Sequence, residues 1–235
     1  MTLKEVMSEL QSMGSASTKN THMNHGAPEP LFGVKVGDMK NIVKKVKKDH
    51  PLALELFATG NSDAMYLAGL ISDPAKMTTK DLQSWAEQAT WHMISEYSVA
   101  WTAAESPHAL PMAAKWINSK NERIASTGWS TLSSYISITP EDDLDMVQFK
   151  SLLERVEKNI HAAQNRVRST MNGFIIAVGS GIPALTIEAI RVAGKVGTVY
   201  VDMGGTACKV PDAAEYINKI KLRGAIGKKK KTAKC

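Results

Sequence analysis

Apolar residues recur along almost the whole chain at helical spacing and almost nowhere at strand spacing. Leu3, Val6, Met7 and Leu10 repeat at i, i+3, i+4 and i+7. Met39, Ile42, Val43 and Val46 do the same, and Phe149, Leu152, Leu153, Val156 and Ile160 extend the pattern. Apart from the brief Thr198–Val201, no stretch alternates apolar and polar residues. His50-Pro51, Asp73-Pro74, Ser106-Pro107, Thr139-Pro140 and Ile182-Pro183 each set a proline near a helix start, where its missing N–H costs nothing. Thr139-Pro140-Glu141-Asp142-Asp143 reads as the clearest start, a capping hydroxyl followed by acids at the positive end of the helix dipole. The pattern predicts an all-α chain of roughly a dozen helices joined by short turns. Such a chain becomes either a globular bundle or a stack of antiparallel helix pairs.

Gly14–Gly37, Gly179–Gly181 and Gly197–Val210 read as irregular. The domain reading is therefore a helical body over 1–197, an irregular segment with a short final helix (Asp212–Ile220) over 198–218, and a Lys-rich tail over 219–235. The formal charge of +6 belongs to that tail. Eight of the 29 basic residues and no acid lie in 219–235, leaving 21 against all 23 acids in 1–218. Nucleic-acid binding must then rest on patches within the body or on the tail, not on overall basicity. No apolar run approaches the ~20 residues of a membrane span. The N-terminus lacks the apolar block of a secretory signal. Two cysteines, Cys208 and Cys235, are too few for a disulfide framework or a tetrahedral metal site and imply a cytoplasmic setting.

At 100° per residue, Ile94, Tyr97, Trp101 and Ala104 form one face of a helix and Trp91, Ser95, Ser98 and Thr102 another. The second face suits a surface reader of a ligand; equally, Trp91 could cap the core above solvated hydroxyls. Arg123, Thr127, Ser130 and Ser134 share a face that suits phosphate contacts, or one that lets two helices approach closely. The helix predicted over Asp38–Lys48 carries Lys40, Lys44, Lys45, Lys47 and Lys48 with no acid after Met39, a one-signed field fitted to backbone phosphates. Arg166 and Arg168 add a further basic spot. His22 and His25 have metal-like spacing but no further ligands, so no metal or organic cofactor is implied.

The order of motifs resembles the DNA alkylation repair glycosylases built from HEAT-like repeats. It runs through Phe32-Gly33-Val34-Lys35-Val36, the basic helix, Pro51–Gly60, Asp63–Asp73, the helix at Trp91, the segment Trp116–Arg123 and the small-residue helix at Met171–Val178. The resemblance covers residues 30–180. It implies a C-shaped stack of antiparallel helix pairs whose concave face grips duplex DNA, alkylated or distorted, as a monomer. It also implies excision of N3- or N7-alkylated purines, with a carboxylate stabilising positive charge on the deoxyribose. The family's first cleft tryptophan maps onto Trp91 and a phosphate-contacting arginine onto Arg123. The catalytic aspartate maps onto Ser95 and a second cleft tryptophan near Asn172. Glu96 stands one residue on, 100° around an ideal helix. Three functions follow: an alkylpurine glycosylase, a non-catalytic binder of duplex or distorted DNA, and a helical-repeat scaffold for a protein or RNA partner.

Overall fold

The computed structural model describes residues 1–234, with thirteen α-helices and no strand among them; Cys235 lies outside the described residues. The helices are α1 (Leu3–Met13), α2 (Ala16–Asn24), α3 (Lys40–Val46), α4 (His50–Ala58), α5 (Ser62–Ile71), α6 (Thr79–Gln88), α7 (Ala100–Ala104), α8 (Ala109–Trp116), α9 (Glu122–Ile138), α10 (Met146–Asn159), α11 (Asn165–Gly181), α12 (Thr186–Val196) and α13 (Ala213–Leu222). A π-helical segment, Ile94–Val99, leads directly into α7. Polar residues start most of them. Thr2 and Thr78 close capping boxes on α1 and α6, and Asp49, Asn61, Asn121 and Asp212 cap α4, α5, α9 and α13.

Several expected boundaries move: Gly179–Gly181, expected to be irregular, ends α11, and Pro74 and Pro183 open 3-10 turns. Thr139–Asp143 does not open a helix: Glu141–Asp143 forms one 3-10 turn, and α10 begins later, capped by Asp145. The basic helix shortens to Lys40–Val46 because Lys47 turns to φ +60, a conformation that ends an α-helix. Part of Gly14–Gly37, expected to be irregular, folds as α2.

The stack is HEAT-like, in two layers. Helix α5, the π segment with α7, α9 and α11 lie side by side, while α4, α8 and α12 back α5, α9 and α11. Close approach within the first layer needs small residues. A Cβ on Gly69 of α5 would stand 2.7 Å from Ser98 Cβ; between the layers, one on Gly128 of α9 would stand 2.7 Å from the Ile117 nitrogen at the end of α8. Two apolar clusters fill the interior, one from α1 to Trp116 and one from Ala113 to Ile217.

Ahead of α3 the chain is pinned by Asp63, on the first turn of α5. Its carboxylate accepts the backbone N–H groups of Phe32, Gly33 and Val34 at 2.6, 3.0 and 2.9 Å. Gly33 sits at φ +79, which favours glycine, and a Cβ there would lie 2.4 Å from the Lys19 nitrogen.

The Lys-rich end is not a free tail. Lys219 and Lys221 belong to α13, and residues 227–234 form a strap along the C-terminal ends of the first-layer helices. The Gly227 N–H donates to Ser180 O at 2.8 Å. Lys229 Nζ donates to Gly181 O (2.7 Å) and Ile136 O (2.8 Å), at the ends of α11 and α9. Thr232 and the Ala233 N–H bond Glu105, just past α7, and Lys234 Nζ reaches Leu70 O and Ser72 O at 3.3 Å, where α5 stops. Helix ends leave carbonyls without intrahelical partners and concentrate negative potential, so lysines there answer both needs. Ala233 is buried in the first apolar cluster, and burial holds the Lys234 ammonium below the usual lysine value.

Candidate nucleic-acid interface

The site begins with an irregularity in a helix. From Ile94 to Val99 the backbone winds as a π-helix, which inserts one extra residue into the turn. Angles counted at 100° per residue drift across the segment, although the Ser95 N–H still donates to Trp91 O at 3.0 Å in the α register. Both faces are largely buried: Ser95, Ser98 and Thr102, expected outside, are each 0% exposed, and Ile94, Trp101 and Ala104 no more than 5%. Thr102 donates to Ser98 O at 2.8 Å and lies 3.3 Å from the Ser72 hydroxyl, while the Ser95 and Ser98 hydroxyls are enclosed without a partner.

Glu96 faces a cleft of about 400 Å³. Tyr97 and Trp101 form its aromatic wall, edge to face with ring centroids 5.3 Å apart. Helix α9 supplies Ser130, Ser133 and Ser134, and α11 supplies Arg166, Ser169, Thr170 and Gly173. His25, His92, Met203 and Cys208 close the rim. A second hollow, about 250 Å³, shares His25, His92, Arg166 and Met203 and continues to Asp202 and Gly204.

Glu96 and Arg166 meet head on. Arg166 Nε donates to Oε1 at 2.9 Å and a terminal guanidinium nitrogen to Oε2 at 2.5 Å, with the Glu96 side chain 6% exposed. Burial pushes the Glu96 carboxyl above the usual carboxylate value, and the two bonds from Arg166 oppose it. Glu122 holds the arginine's backbone by accepting its N–H at 2.8 Å. Burial first, then the charges of Arg166 and His25, pull His92 down to about 4, so its ring is neutral at neutral pH. Asn165 and Asp202 exchange bonds at 2.8 and 2.7 Å, which seats the Gly197–Val210 segment on the rim.

The expected site residues divide. Arg166 and Ser130 line the cleft. Thr127 is buried and donates to Arg123 O at 2.7 Å, which answers its hydroxyl within its own helix. Arg123 is exposed near the start of α9, away from the cleft lining. Lys40, Lys44, Lys45, Lys47 and Lys48 are all exposed, with Lys45 on Glu9 at 2.7 Å and Lys48 3.7 Å from Asp73. Arg168 is half-buried, its Nε enclosed without a partner. Trp91 is 7% exposed and packs near His22 and His92. Ser95 is sealed in the core. Asn172 is 2% exposed and donates to Pro211 O at 2.9 Å, tying down the chain after α12. Among the described residues no group of three His, Cys, Asp or Glu is placed to hold a metal.

Glu96 is the residue that sequence reasoning set aside. One signal was present: an acid between Ile94 and Tyr97 in an apolar helix needs a buried partner.

Comparison with known proteins agrees with the fold. An uncharacterized protein of Listeria innocua is 37% identical over 229 residues, 95% of this chain and 99% of that one. One of Listeria monocytogenes is 36% identical over the same shares. A solved structure described as a new family of proteins related to the HEAT-like repeat DNA glycosylases, with affinity for branched DNA structures, superposes with a TM-score of 0.93. It is 39% identical, with all of both chains covered. The family model described as DNA alkylation repair enzyme matches residues 6–217, and the chain belongs to that family.

Proposed function

We propose that this protein binds branched or distorted DNA, as a cytoplasmic monomer, and does not excise alkylated bases at a useful rate. The observation that carries this reading is the Glu96–Arg166 pair. An alkylpurine leaves as a neutral base from a cationic nucleotide, and the enzyme's task is to stabilise positive charge on the sugar. A carboxylate held at 2.5 and 2.9 Å by a guanidinium presents no net negative charge to such a sugar. Ser95, at the position of the family's aspartate, is enclosed and carries no charge at all. The affinity for branched DNA of the similar solved structure supports the choice of ligand.

Fluorescence anisotropy on a three-way junction and on duplex arms of equal length tests the reading. Tighter binding to the junction is expected, with log affinity falling about 0.9 per log salt for each phosphate neutralised. Equal affinity for both, or salt-insensitive binding, overturns it. Release of 7-methylguanine from duplex above the buffer rate would restore the glycosylase reading, with Glu96 as the carboxylate.

A further inference from the structure

We propose that the Glu96–Arg166 cleft receives one unpaired nucleobase from the branch point, and that Gly173 keeps the cleft open for it. The proposal rests on the branched-DNA reading above and deepens it. Five glycines lie in α5, α9 and α11, the continuous helices of the first layer. For four, packing explains the missing side chain: a Cβ on Gly69, Gly128, Gly179 or Gly181 would come within 2.4 to 2.7 Å of a neighbour. A Cβ on Gly173 would meet nothing within 4 Å, and its φ is not positive. Helix interiors disfavour glycine relative to alanine, so this position carries a cost that packing does not return. What Gly173 borders is the cleft.

The chemistry of that cleft suits a flat neutral ring better than a phosphate. Its guanidinium is neutralised by Glu96 and His92 is uncharged at neutral pH, so neither offers a free cation to the space. Tyr97, 38% exposed, offers an aromatic surface. The hydroxyls of Ser130 and Ser134 can donate or accept, and that of Ser133, which donates to Trp129 O at 3.0 Å, can accept; together they fit the mixed edge of any base and discriminate weakly among them. A volume of about 400 Å³ lies near the lower end of small-ligand pockets and far below a duplex groove. A base at a branch point is already unstacked, so moving it costs little.

The test uses a three-way junction carrying 2-aminopurine either at an unpaired branch position or within an arm. On binding the full chain, the branch probe is expected to change in intensity and become shielded from acrylamide while the arm probe does not. Gly173→Leu fills the cleft and is expected to remove that change. It should weaken junction binding by roughly 10-fold, within the roughly 5- to 150-fold that one base stacking on an aromatic ring provides, and leave duplex affinity as it was. Gly173→Ala checks the fold and is expected to melt no lower than the parent. Junction preference with no response from the branch probe overturns this inference alone, as does a folded Gly173→Leu that behaves as the parent. Absence of junction preference overturns the branched-DNA reading and this inference with it. Because the unmodified protein answers the fluorescence question, an unfolded Gly173→Leu leaves the decision standing.

Discussion

Replacing Arg166 by leucine gives a stability defect that depends on pH in a defined direction. The substitution strands Glu96, whose side chain is 6% exposed, without its two charge-assisted bonds. Removing one partner of a buried ion pair costs about 3–5 kcal/mol at neutral pH. For a chain of this length that is a fall in Tm of roughly 6–20 °C. Stranded, Glu96 has a folded-state pKa well above its unfolded value. A group shifted that way suffers no penalty below the unfolded value and loses stability as pH rises, by about 1.4 kcal/mol per unit until the folded pKa is passed. Arg166→Leu is therefore expected to melt close to the parent at pH 4 and far below it at pH 7. The double variant Glu96→Leu/Arg166→Leu removes both charges and is expected within about 2 kcal/mol of the parent throughout. Circular-dichroism melts from pH 4 to 8 supply the readout. A defect that is constant across that range, or a double variant as unstable as the single, refutes the claim that Glu96 depends on Arg166.

Three further outcomes are expected. Removing residues 225–235 exposes the helix ends that Lys229 and Lys234 cover, so Tm falls by roughly 10 °C with little change in helix content, and Lys229→Ala alone costs about 2 kcal/mol; superimposable melts would make 225–235 a free tail after all. Ser95→Asp places a charge in a sealed interior and destabilises by about 3 kcal/mol or more without yielding base release, as thermal unfolding and a 7-methylguanine assay check. His92 titrates near 4 by NMR and stays neutral at pH 5; a midpoint near the ordinary 6.5 contradicts its burial beside Arg166.

Periodicity and capping made much of the architecture legible. The stripes at Leu3–Leu10 and Phe149–Ile160 became α1 and α10, and the final helix expected over Asp212–Ile220 forms as α13, with Asp212 as its cap. These features are local, so a one-dimensional pattern carries them. The Thr139–Asp143 start failed because a second capping residue, Asp145, lies closer to the apolar run it serves.

The chain's own order of residues settled that it is helical and where several helices lie, among them α1, α4 and α10. It could not settle that both faces of the Trp91–Thr102 stretch are largely buried, because that depends on the helices packed against it, α5 and α9 among them. Nor could it show that two of the eight basic residues, Lys229 and Lys234, fasten a strap. The partners of Lys229 and Lys234 are carbonyls from helices far away along the chain, which become available only once the stack has formed.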